Sequence, residues 1–168
     1  MKIMITRNHR GFTLIEIVVV LVLISIVAAT VFTRSITTDQ INVSAQTEKI
    51  KSHIRYAQSL AMKRNQRWGI FCGDNKYWLF GPWSSFGDEF NPVQLPGQDA
   101  DKISLPDLSI DLSPDFIIFF DGYGKPFQFT PYPNELGANK QFTVKNSLDD
   151  TQSRTFNITA ETGLITTP

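Results

Sequence analysis

The sequence predicts an α+β fold: one long N-terminal helix, apolar in its first half and amphipathic in its second, packed on antiparallel β-sheets. Three observations point there. No glycine or proline occurs between Phe12 and Arg67, a long window with no helix breaker. The composition changes at Trp68, where aromatic and β-branched runs begin. From Trp68 onward, glycine, proline, asparagine and aspartate punctuate short apolar runs, the pattern of strands and turns.

The helix opens on a run that is apolar all round. Phe12 to Phe32 is 21 residues, with Glu16 as its one charge. As a helix it would reach about 31 Å, close to the ~30 Å core of a bilayer. Lys2, Arg7 and Arg10 precede the run, and Arg34 is the one basic residue near its far end. By the positive-inside rule the N-terminus lies in the cytoplasm and the rest of the chain outside. A carboxylate at the position of Glu16 costs several kcal/mol unless it is neutralised or paired, so it demands a partner. Beyond the run, Ile36, Val43, Thr47, Ile50, Ile54, Ala57 and Ala61 recur at helical spacing. Asp39, Gln46, Lys49, Ser52 and Arg55 fall on the opposite face. One helix from Phe12 to Arg64 follows, about 80 Å long at ~1.5 Å per residue. Residues 30–36 hold no proline, so a bend there would lack its usual cause.

The strands come next. Trp68–Cys72 and Lys76–Phe80 read as a hairpin around Gly73-Asp74-Asn75. Residues 81–102, with six glycines and prolines, read as a long loop. Trp83, Phe86 and Phe90 in that loop either pin it to the domain or offer a contact surface. Ile103–Leu105 and Leu108–Leu112 alternate as short strands. Phe116–Phe120 is continuously apolar, which fits a strand buried on both faces. Asp121-Gly122-Tyr123-Gly124-Lys125-Pro126 is a turn before Phe127–Phe129. Gln141–Lys145 and Arg154–Thr159 form a second hairpin around the polar stretch 146–153. Glu161-Thr162-Gly163 turns the chain into a last strand, Leu164–Thr166.

Several chemistries are excluded or poorly supplied. His9 and His53 are the only histidines, too few for a histidine-based metal or nucleophile cluster. Gly122-Tyr123-Gly124 lacks the third glycine and the helix start of a dinucleotide fingerprint. Asp99, Asp101, Asp107, Asp111 and Asp115 match no calcium-loop spacing and read as solvated charges. No enzyme activity, metal or other cofactor is expected. Lys49, Lys51, Arg55, Lys63, Arg64 and Arg67 make the helix end basic; it could touch nucleic acid or lipid head groups, but such an end is more often a solvated or subunit-facing surface. Cys72 is the single cysteine, so no intramolecular disulfide forms, and its place in a strand pattern predicts burial.

The N-terminal stretch resembles a known signal. Arg10-Gly11-Phe12-Thr13-Leu14-Ile15-Glu16 before a long apolar run is similar to the start of type IV pilins and type II secretion pseudopilins. An ordinary membrane anchor leaves Gly11-Phe12 and Glu16 unexplained, and a conventional secretory signal has a shorter apolar core. The resemblance implies that a prepilin peptidase cuts between Gly11 and Phe12 and that the new amine of Phe12 is methylated. It also implies that Glu16 pairs with the N-terminal amine of a neighbouring subunit in a filament. The expected parts are then a leader, 1–11; a transmembrane half of the helix, 12–33; an amphipathic half, 34–67; and a periplasmic β domain, 68–168. Cleavage would leave 13 basic and 16 acidic side chains, a balance that argues against a dedicated nucleic-acid binder.

The globular half narrows the resemblance. Ala57–Asn65 before an aromatic hairpin, the Phe120–Pro126 turn and the closing Glu161-Thr162-Gly163 resemble minor pseudopilins of the H type and FimT-like minor pilins. The expected function is that of a minor pseudopilin. Such a subunit is anchored in the inner membrane and built with other pseudopilin or pilin subunits into a pseudopilus for protein export. The alternative is a minor pilin of a type IV pilus, serving pilus assembly, adhesion or DNA uptake.

Overall fold

The computed structural model describes residues 13–83, 90–129 and 134–168, with side chains for all of these but 29–41, 83 and 134. The chain divides into two compact units, Met1–Thr38 and Asp39–Pro168. Helix α1 (Leu14–Arg64) contributes to both, and every described strand lies in the second.

In the second unit α1 buries one stripe. Val43, Thr47, Ile50, Ile54, Ala57 and Ala61 are each 3% exposed or less. Their spacing of three and four residues is what a 3.6-residue period places on one side. Thr47 hides its hydroxyl by donating to Val43 O on the preceding turn (2.7 Å). The helix ends with Lys63 and Arg64, cations that suit the negative end of its dipole. Asn65, in a left-handed conformation (φ +50°), then breaks the pattern.

The strands follow in chain order: β1 (Arg67–Gly73), β2 (Lys76–Trp83), β3 (Pro92–Val93), β4 (Ile103–Ser104), β5 (Ile110–Ser113) and β6 (Phe116–Phe120). The rest are β7 (Pro126–Gln128), β8 (Asn134–Glu135), β9 (Lys140–Asn146), β10 (Ser153–Ile158) and β11 (Ile165–Thr166). Among the described residues they form two antiparallel sheets. The first runs β3-β2-β1-β6-β7-β8, with β4 also pairing β2; the second runs β11-β10-β9-β5. Asp74 and Asn75 join β1 to β2, both at positive φ (+53° and +58°). That is the geometry a two-residue hairpin needs, supplied by the two non-glycine types that tolerate it best.

Strand alternation sorts the first sheet into two apolar faces. Trp68, Ile70, Cys72, Tyr77, Leu79, Phe116, Ile118 and Phe120 join the helix stripe and the inner face of the second sheet in one core. Trp78, Phe80 and Phe119 face the other way, with Phe71, Phe90, Ile117, Phe127 and Phe129 packed on them. Phe116–Phe120 is thus apolar on both faces, as its unbroken hydrophobicity predicts. Phe90 closes the outer cluster, with ring centroids 4.8 Å from Phe80 and 5.0 Å from Phe129. Its carbonyl accepts the Trp78 indole N–H (2.8 Å). Phe90 therefore pins the 81–102 loop to the domain, while Phe86 lies outside the described residues.

Several boundaries differ from the sequence expectation: β2 runs on through Gly81-Pro82-Trp83, the residues expected to open the long loop. Leu108 does not start a strand: Pro106–Leu108 is a 3-10 turn, because proline suits the first helical position. Ser109 ends that turn at φ +56°, and β5 begins at Ile110. The 81–102 loop contains β3, two residues that pair with Leu79 and Phe80. The pair Asn134–Glu135 forms β8 against β7, too short to show any alternation in sequence.

Phe142 is fully buried where the two sheets face each other, between Phe116 (4.5 Å) and Phe156 (5.3 Å). Phe142→Ala is expected to cost about 3–5 kcal/mol. Phe129→Ala, at the half-buried edge of the outer cluster, should cost clearly less. Urea unfolding midpoints of the two variants check the order.

Candidate functional site

The N-terminal site is partly in view. Gly11 and Phe12 lie outside the described residues. Glu16 is described, exposed, in the first turn of α1. The helix starts there because Thr13 caps it. Its carbonyl accepts the N–H groups of Glu16 (3.1 Å) and Ile17 (3.3 Å), and its hydroxyl lies 3.4 Å from the Glu16 N–H. Thr13-Leu14-Ile15-Glu16 is the spacing of a capping box, a signal in the sequence that the paired-carboxylate reading passes over. The two roles are compatible. A carboxylate in the first turn also meets the positive end of the helix dipole.

The large apolar side chains on either side of Glu16 are exposed. From Leu14 to Val27 the large apolar residues are all exposed, from 45% at Val18 and Val20 to 81% at Leu14. Glu16 shares a shallow apolar groove with Ile17, Val20 and Leu21. A helix apolar on every side is stable only when an apolar medium or other helices cover it. Among the described residues no helix is long and apolar enough to cross a membrane. The described side chains of the apolar run span residues 13–28, about 24 Å of helix at ~1.5 Å per residue.

In the second unit, the two turns singled out in the sequence converge on one side chain of α1. Gln58 Nε2 donates to Gly124 O and to Thr162 O, both at 2.9 Å. The first turn is self-braced: Asp121 Oδ1 accepts the N–H groups of Tyr123 and Lys125, each at 2.9 Å. The second is closed by Gly163 N–H donating to Thr159 O (2.8 Å). Both turns need glycine where they touch the helix. Gly124 (φ +82°) and Gly163 (φ +66°) adopt left-handed conformations. A Cβ on Gly163 would lie 2.7 Å from Gln58 Nε2 and 2.9 Å from Phe120. A Cβ on Gly124 would lie 2.9 Å from Met62 Sδ. The node is a structural fastening: backbone carbonyls and one amide, with no titratable group poised for chemistry.

The basic residues of the helix are largely engaged within the domain. Lys51 is 4% exposed, with Nζ 2.6 Å from Glu48 and 2.9 Å from Thr167 Oγ1. Arg55 donates to Ile165 O (3.4 Å). Arg64 stacks over the Trp68 ring (5.1 Å). Arg55 thereby fastens the C-terminal strand β11 to α1, and Lys51 the residue that follows it. The Asp99, Asp101, Asp107, Asp111 and Asp115 carboxylates are exposed, and no group of three metal-ligating residues occurs among the described residues. Cys72 is buried as expected. Burial, and then the nearby Asp115 carboxylate, push its thiol up to about 12, so it stays protonated and inert.

Comparison with known proteins agrees with both halves of the geometry. Residues 6–32 match the family described as the prokaryotic N-terminal methylation motif. Residues 46–162 match the family described as type II transport protein GspH. No curated protein matches the chain. The fold is similar to that of the type IV minor pilin FimU of Pseudomonas aeruginosa strain PAO1 in its P21 crystal form. That likeness has a TM-score of 0.55 and 13% identity, over 78% of this chain and 91% of FimU. The P65 form of FimU gives 0.49 and 13%, over 74% and 91%. At this identity the likeness is one of fold: an N-terminal helix packed on antiparallel sheets.

Gln58→Ala removes both fastenings and should cost about 1–3 kcal/mol, because two acceptors lose their donor. Gly163→Ala should cost at least as much, since it adds a clash to a strained φ. Thermal unfolding of the two variants and of the double variant checks this. Sub-additive losses are expected, because both changes break the same contact.

Proposed function

The chain belongs to the family of type II transport protein GspH, and from that premise we propose that it works as a minor pseudopilin. It is a structural subunit of the type II secretion pseudopilus, and its role in protein export is mechanical rather than enzymatic. The observation that carries the reading is the joining, in one chain, of a prepilin methylation motif at 6–32 to a GspH domain at 46–162.

The steps follow from the chemistry of the N-terminus. The precursor is held in the inner membrane by residues 12–33, with the leader 1–11 in the cytoplasm and the β domain in the periplasm. Prepilin peptidase cuts between Gly11 and Phe12, and the amine of Phe12 is methylated. The exposed apolar side chains from Leu14 to Val27 then have two possible covers, lipid tails and the helices of other subunits. Passing from the first to the second replaces one apolar contact by another, so it costs little in burial. What gives it direction is charge. Glu16 in an apolar surround is costly alone and tolerable beside the amine of a neighbour's Phe12. That pair sets the register between subunits. The FimU likeness also fits a minor pilin of a type IV pilus, but it is a likeness of fold, whereas the GspH match favours export.

Glu16→Ala should leave cleavage at Gly11 intact and abolish assembly and secretion. Breaking a buried pair costs about 3–5 kcal/mol, enough to lower subunit incorporation by two orders of magnitude or more. Immunoblots for precursor and mature forms, beside a secretion assay, read both effects. Normal secretion by the variant would remove Glu16 from the register.

A further inference from the structure

His53 is a buried imidazole that the assembly mechanism does not use. It is 5% exposed, on the strand-facing side of α1 beside Ile54. Its Nδ1 lies 3.1 Å from the hydroxyl of Tyr77 on β2, a side chain only 1% exposed. The two rings are 5.9 Å apart and tilted by 38°. Gln58 and Arg55 fasten α1 to backbone carbonyls at part-exposed margins. His53 and Tyr77 instead meet inside the core, where water cannot replace a lost bond.

We propose that the His53–Tyr77 contact is an acid-sensitive latch between α1 and the first sheet, undone from within when the imidazole takes up a proton. Three features of the surroundings make the protonated ring untenable there. The ring is buried. The charge that acts on it is another cation, Lys49, four residues back on the same helix. From β2 it faces the Tyr77 phenol, which is neutral and offers a hydrogen bond rather than a counter-charge. Burial, and then the Cys72 thiol on β1, push that phenol up, so it does not ionise to compensate. The Asp115 carboxylate acts on the Cys72 thiol.

The direction with pH follows. Burial first, and Lys49 second, lower His53 from its ordinary 6.5 to about 4. Between those values the unfolded chain binds a proton that the folded chain refuses. The contribution of His53 to stability is therefore complete above pH 6.5, shrinks as pH falls toward 4, and is gone below. Within the window the unfolding or opening equilibrium should rise by up to tenfold per pH unit.

The test uses the full-length chain in detergent micelles. Hydrogen exchange of the amides of β2 and of residues 49–58 is followed from pH 7 to pH 4.5, corrected for intrinsic rates. Protection in the wild type should fall by up to tenfold per unit below about pH 6. His53→Gln keeps a hydrogen-bonding group and cannot titrate, so its protection should fall distinctly less. Parallel falls in the two proteins would overturn the latch. Should His53→Gln not fold, NMR titration of the His53 ring in the wild type decides. A midpoint near 4 supports the latch, and one near 6.5 rules it out.

Discussion

The structure depends on one stripe of a helix. Val43, Thr47, Ile50, Ile54, Ala57 and Ala61 bury against both sheets at once, and that burial makes a helix and eleven described strands into one domain. Several of the strands are two residues long and could not stand alone in water. The last of them leans on the helix: β11 is held by Arg55, the residue after it by Lys51, and the turn before it by Gln58. The aromatic cluster on the outer face of the first sheet is a second, smaller core, closed by Phe90.

The same helix serves two environments in succession. Its first residues are apolar on every side and lie exposed in the isolated chain. Its later residues are apolar on one side, and the chain's own strands cover that side. A single chain thus covers the second half of the helix internally and leaves the described apolar side chains of the first half exposed. The capping threonine and Glu16 stand where that unsatisfied half begins.

Much of this was legible in the sequence, for physical reasons. The helix stripe declared itself because period 3.6 is hard to produce by chance over twenty residues. Phe116–Phe120 declared itself as a strand covered on both faces because nothing polar interrupts it. What could not be read were features set by tertiary contact. β3 and β8 exist because β2 and β7 present partners, not because their own residues prefer strands. Ser109 turns left-handed because Pro106 starts a 3-10 turn before it. The convergence of the 121–125 and 161–163 turns on Gln58 joins positions 66 and 104 residues from it in sequence, visible as separate turn motifs but not as one node. Likewise the basic helix end looked available for partners, and it is folding that commits Lys51, Arg55 and Arg64 to internal contacts. Gly11, Phe12 and Glu16 rest on the N-terminal motif, where short-range sequence carries the signal itself.

The most direct measurement is the intact mass and N-terminal sequence of the protein purified from membranes that contain an active prepilin peptidase. A processed subunit begins at Phe12, lacks residues 1–11 and carries one added methyl group on its amine. A chain that still begins at Met1 in those membranes, or that is cut beyond Glu16, would contradict the reading of this protein as a pseudopilin.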